Sequence, residues 1–123
     1  MTILGIDHVN LSGPAELMER CRAFYVEVIG LTEGPRPGFR SRGFWLYAGG
    51  QPVVHLTVRD EKTVMNGQTG FDHYAFQCQG LDAVLARLES HGVAFKADRV
   101  PGTGRVQLFL TDPAGVSLEL NFS

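Results

Sequence analysis

The chain has 123 residues, 44% of them hydrophobic, enough apolar material for one compact domain with its own core. Eleven Lys and Arg stand against thirteen Asp and Glu, a formal net charge of -2, and the charges are dispersed rather than gathered in runs, which argues against nucleic acid and anionic membranes as partners. No apolar stretch approaches the roughly 20 residues that cross a bilayer, and Met1 to His8 lack the zones of a secretory signal, so a cytoplasmic protein is expected.

The first predicted strand runs through His8 to Leu11, with Val9 and Leu11 on one face and His8 and Asn10 on the other. Ser12 reads as the N-cap of a helix with Pro14 in its first turn. Leu17, Cys21, Phe24, Tyr25 and Val28 then recur at helical spacing until Gly30 stops it. Strands follow near 31–35, 43–48 and 52–58, and in the last of these Val54, Leu56 and Val58 oppose Val53, His55 and Thr57. A polar, glycine-containing stretch at 61–69 is read as a linker within a single domain, 1–123, between a module at 1–60 and a module at 70–123. Modules of about 60 residues are too small to build a comfortable core alone.

The second module opens with a strand that sets Tyr74, Phe76 and Cys78 against His73, Ala75 and Gln77. Leu81, Val84, Leu85 and Leu88 form the apolar stripe of a shorter helix ending at Gly92, and strands follow near 94–99, 105–110 and 116–122. The last strand is the most legible: Val116, Leu118, Leu120 and Phe122 share the face that must meet a helix, leaving Ser117, Glu119 and Asn121 opposite.

The two modules repeat one another. Gly5-Ile6-Asp7-His8-Val9 matches Gly70-Phe71-Asp72-His73-Tyr74, and Pro52 to Val58 matches Val116 to Phe122, so that His8 is equivalent to His73 and His55 to Glu119. All four fall on the face that no helix covers. A lone strand histidine is more often solvated or hydrogen-bonded than a ligand, but three imidazoles and a carboxylate at repeat-equivalent positions suit one divalent metal ion: Zn, Fe(II), Ni, Co or Mn, with Ca a poor fit. Asn10, Trp45, Gln77 and Asn121 are candidate substrate-binding residues beside it. Parity does not decide which of Phe44, Trp45 and Tyr47 face that side. His91 is read as a helix-end residue, and Arg36, Arg40 and Arg42 as loop arginines able to hold an anion. Cys21 and Cys78 show no motif spacing and read as small buried hydrophobes.

Asp7-His8, Ala23-Phe24-Tyr25 with Gly30-Leu31, Phe71 to Phe76, and Asp112-Pro113 followed by Leu118-Glu119 together resemble the vicinal oxygen chelate superfamily over nearly the whole chain. That group includes glyoxalase I, methylmalonyl-CoA epimerase, fosfomycin-resistance thiol transferases, bleomycin-resistance proteins and extradiol dioxygenases. The resemblance implies an α+β, glyoxalase-like fold in which two paired βαβββ modules form a curved mixed-sheet cup with helices outside and one metal inside. It implies His8, His73 and Glu119 as ligands. His55 departs from the named patterns, since glyoxalase I has glutamate there and the epimerase glutamine, whereas the dioxygenases and fosfomycin enzymes use no protein ligand at that position. The implied activity is proton transfer by a lyase or isomerase on a small substrate chelated through two neighbouring oxygens, with Glu119 as base and His55 as the other catalytic residue. An extradiol-type dioxygenase using Fe(II), and a small-molecule-binding resistance protein, are the alternatives. A homodimer is expected, because open sheets leave edges to be paired.

Overall fold

A computed structural model describes residues 4–60, 73–100 and 102–123. The chain divides into two units, Met1–Val64 and Met65–Ser123. Residues 61–69, read above as linker, and Phe71-Asp72 of the repeated motif lie outside the described residues.

The first unit contains β1 (Val9–Gly13), α1 (Ala15–Ala23) with a π-helical continuation (Phe24–Ile29), β2 (Thr32–Gly34), β3 (Gly43–Ala48) and β4 (Gln51–Val58). Its four-stranded sheet has the order β1-β4-β3-β2, with β1 parallel to β4 and the other neighbours antiparallel. The second unit repeats the plan with β5 (His73–Cys78), α2 (Leu81–Ser90), β6 (Lys96–Arg99), β7 (Val106–Thr111) and β8 (Ser117–Phe122), in the order β5-β8-β7-β6 with β5 parallel to β8. The fold is therefore the expected α+β arrangement of two βαβββ modules, each with an open mixed sheet.

Two boundaries differ from the sequence reading. Ser12 belongs to β1, and α1 is capped at Pro14, whose missing N–H removes one of the donors a helix start leaves unpaired. The Ala15 N–H donates to the Asp60 carboxylate at 3.3 Å, so the cap comes from beyond the end of β4 and puts a negative charge at the positive end of the helix. His8 lies immediately before β1 rather than inside it.

α1 and its continuation bury Leu17, Met18, Cys21, Tyr25 and Val28 against the sheet's Leu46, Val54 and Leu56 face. The π-helical segment ends where Gly30, at φ 95°, and Leu31 both donate backbone N–H groups to the Tyr25 carbonyl, a left-handed closure that a side chain would strain. In the second unit Leu88 of α2 is fully buried, as is Leu108, while Leu118, Leu120 and Phe122 are 1 to 5% exposed, so the faces read from alternation are those observed. Asp112 is buried for a local reason: its carboxylate accepts N–H bonds from Ala114 and Val116 and so shapes the turn joining β7 to β8. Among the described residues no helix is long and apolar enough to cross a membrane.

Candidate metal centre

In the first unit β4 is the second strand of the sheet, and it presents His55 between partners on both sides, with Asn10 of β1 and Trp45 of β3 as its register neighbours. Trp45 stacks on one face of the His55 ring at 4.1 Å and 10°, and His8 stacks at 3.9 Å and 13°. Phe39 extends this series, 6.3 Å from Trp45. The register thus answers the question parity left open: Trp45 lies on the His55 face, while Phe44 lies opposite, under the Arg22 guanidinium of α1.

Hydrogen bonds select which nitrogens remain for a ligand. The His55 Nε2 sits 3.0 Å from the Pro52 carbonyl, which only accepts, so that nitrogen carries the proton and Nδ1 keeps its lone pair. The His8 Nδ1 is 2.7 Å from the Asp7 carboxylate, which by the same reasoning frees Nε2. Burial, and secondarily the neighbouring His8 ring, lower the His55 pKa from the ordinary histidine value; the Pro52 carbonyl and Asp7 oppose this, and Arg36 adds to it. A neutral imidazole is the form a metal needs. Asn10 is tied within the sheet, accepting the Thr57 hydroxyl at 3.0 Å.

In the second unit β8 is the corresponding interior strand and carries Glu119, 9% exposed. Its Oε2 lies 2.6 Å from Nε2 of His73, the first residue of β5, and its Oε1 accepts the Gln107 amide at 3.1 Å. His73, Glu119, Phe109, Thr111 and Ser117 border a cavity of about 370 Å³. Gln77 and Asn121 stand toward the far ends of β5 and β8, and both line a larger cavity of about 950 Å³ together with Arg99 and Arg105. Of the substrate-binding candidates, then, Trp45 and Asn10 accompany the first pair, and Gln77 and Asn121 belong to this second cavity.

The ligand-type residues stand as two pairs, one in each unit. Among the described residues no three His, Cys, Asp or Glu side chains gather as a metal-binding group. The donor chemistry of each pair fits a borderline divalent ion. His73 and Glu119 already stand side by side, Nε2 2.6 Å from Oε2, and together would offer an ion one imidazole nitrogen and one carboxylate oxygen. The stacked His8 and His55 rings need to splay for both to coordinate one ion. Sequence reasoning missed Asp7 and Gln107 as supporting groups. Gln107 was readable, since Val106, Leu108 and Leu110 claim the helix face of β7 and leave it on the other.

The family model described as the Glyoxalase/Bleomycin resistance protein/Dioxygenase superfamily matches residues 5–120. Uncharacterized protein YaeR of Escherichia coli (strain K12) is 34% identical over 106 residues, which cover 80% of this chain and 82% of that one. Glyoxylase I 4 of Arabidopsis thaliana is 26% identical over 125 residues, covering 96% of this chain and 70% of the relative. Among solved structures, a glyoxalase family protein from Enterococcus faecalis superposes with a TM-score of 0.72 at 26% identity, over 98% of this chain and 99% of that chain.

Proposed function

Because the chain belongs to the Glyoxalase/Bleomycin resistance protein/Dioxygenase superfamily, we propose that it is a divalent-metal-dependent lyase or isomerase moving a proton on a small substrate bound through two neighbouring oxygens. The observation that carries this reading is the burial of Glu119. Only Asp112 and Glu119 are buried charged residues among those described; Asp112 is accounted for by its turn, whereas Glu119 forms no turn or cap and instead meets an imidazole. A carboxylate kept from water without a folding role points to chemistry.

In this reading His8, His55, His73 and Glu119 are the candidate ligands, and the divalent ion they would hold would supply Lewis acidity to the substrate oxygens. Glu119 accepts the proton from the carbon beside the substrate carbonyl and returns it to the neighbouring carbon, so no charge or atom is lost over the cycle. His55, kept neutral by burial and fixed by Pro52 and Trp45, provides its Nδ1 without rearranging its protonation. The protein works as a homodimer, since each unit's sheet has open edge strands; light scattering checks this, and a fully metal-loaded monomer would exclude it.

The test combines elemental analysis with turnover. Wild-type protein from metal-supplemented medium is expected to carry about one ion per chain, and both His8→Ala and Glu119→Ala to lose it. Protein reconstituted anaerobically with Fe(II), Ni, Zn or Mn is then offered hemithioacetals, 2-methyl-branched acyl thioesters and catechols. Oxygen-independent turnover abolished by His55→Ala and by Glu119→Gln supports the proposal. Oxygen uptake with Fe(II) that survives His55→Ala makes the protein a ring-cleaving dioxygenase, and tight ligand binding without turnover makes it a small-molecule-binding protein.

A further inference from the structure

Glu119 offers two carboxylate oxygens, and different side chains hold them: His73 Nε2 stands 2.6 Å from Oε2, and the Gln107 amide donates to Oε1 across 3.1 Å. Gln107 is not the residue directly across the β7–β8 ladder from Glu119. That place belongs to Phe109, while Gln107 pairs with Asn121, so the bond runs diagonally between strands. The neighbours of Gln107 on β7 explain why it is available: Val106 and Leu108 are buried on the helix face, whereas Gln107 is half-buried on the Glu119 face. The Phe109 side chain can offer the Glu119 carboxylate no hydrogen bond, and among the described residues Gln107 and His73 are its side-chain partners.

We propose that Gln107 is a positioning residue that decides which oxygen of Glu119 faces a ligand; this deepens the reading above and rests on it. A carboxylate on a flexible glutamate side chain can present either oxygen, or both, to an ion. Holding Oε1 leaves Oε2, the oxygen beside His73, as the one a ligand would share with that imidazole, and fixes the carboxylate plane. An amide suits this task where a cation does not. Lys or Arg at 107 would form an ion pair with Oε1 and compete with a metal for the same negative charge, whereas the amide adds a directed N–H and no net charge. Leucine or methionine would fill the space and leave a buried carboxylate oxygen unpaired, freeing the side chain to rotate.

The variants are Gln107→Met, which keeps length and bulk but removes the donor, and Gln107→His, which keeps an N–H. In the metal-free protein the His73 imidazole N–H, held in a 2.6 Å bond, is read by nitrogen-labelled NMR; its resonance is expected to move in Gln107→Met and to stay closer to its place in Gln107→His. Zn(II) affinity, measured by competition with a chromophoric chelator, is expected to fall about 10- to 100-fold in Gln107→Met with partial recovery in Gln107→His. The Co(II)-loaded protein should show a changed visible spectrum in Gln107→Met and one nearer the wild type in Gln107→His. Wild-type Zn(II) affinity in Gln107→Met with an unmoved His73 resonance overturns the proposal. If wild-type protein takes up no metal, the metal-centre reading fails, and the His73 resonance alone decides whether Gln107 holds Glu119.

Discussion

Gly43→Ala is expected to destabilise the first unit by about 2 to 4 kcal/mol, for a reason of space rather than backbone angle. Gly43 is not among the residues with positive φ. A Cβ placed there would lie 2.2 Å from the Leu56 carbonyl oxygen and 3.0 Å from both Nε and Nη2 of Arg36. Ordinary carbon–oxygen contacts stand at about 3.3 Å, so the β3 and β4 backbones must separate by about 1 Å at the point where Gly43 pairs with Thr57 and Phe44 with Leu56. Overpacking of that kind costs about 1 to 3 kcal/mol, and one ladder hydrogen bond lost with it adds about 0.5 to 1.5 kcal/mol. Arg36 makes matters worse: its Nη1 and Nη2 are bound to Ser41 and its Nε is buried without a partner, so it cannot move aside freely. Trp45, the single tryptophan of the chain, is a natural probe because it sits on β3 two residues away. Urea unfolding followed by Trp45 fluorescence should show the loss, with a melting temperature lower by roughly 8 to 16 °C. Gly38→Ala is the control, since nothing lies within 4 Å of the place its new methyl group would take and its stability should be unchanged or slightly raised. A Gly43→Ala protein that melts within about 2 °C of wild type would refute the steric argument.

In the second unit, Leu108→Ala and Leu118→Ala should each cost about 2 to 5 kcal/mol by urea titration, since both side chains are essentially fully buried. Burial raises the Cys78 pKa above the ordinary thiol value, against a weaker opposing bond from the Asn121 backbone. Its alkylation by iodoacetamide at neutral pH should therefore be slower in the native than in the urea-unfolded protein. The sign for stability follows: the unfolded thiol ionises first, so stability is lost as pH rises above the unfolded thiol's pKa and is unaffected by Cys78 below it. Asp7→Asn should weaken Zn(II) affinity by about tenfold or less, the low end for an outer-shell partner, because the Asp7 side chain is 90% exposed and water can replace it.

How much of this was legible before the structure depends on the kind of signal. The last strand announced its faces because Val116, Leu118, Leu120 and Phe122 alternate with polar residues, and the observed burial of Leu118, Leu120 and Phe122 follows that pattern. β3 was illegible by the same rule because Phe44, Trp45 and Tyr47 are all aromatic; only pairing with His55, and the register irregularity between Leu46 and Tyr47, sorts them. The start of α1 was misplaced because Ser12 is a good cap by type, while the group that does cap, Asp60, lies 45 positions away, where local pattern cannot reach. The pairing of His73 with Glu119 agrees with the repeat, and the stack of His8 on His55 does so with a geometry no spacing rule predicts.

The strand order β1-β4-β3-β2, echoed by β5-β8-β7-β6, gives the His8–His55 and His73–Glu119 pairs two unequal members each. His55 and Glu119 ride on interior strands with a hydrogen-bonded neighbour on either side, whereas His8 precedes an edge strand and His73 begins one. Backbone amides of β4 and β8 should accordingly exchange with deuterium far more slowly than those around residues 8 and 73. In each unit, then, one member of the pair stands on a strand braced from both sides and the other at the start of a strand braced from one side only, so the second is the member with room to adjust.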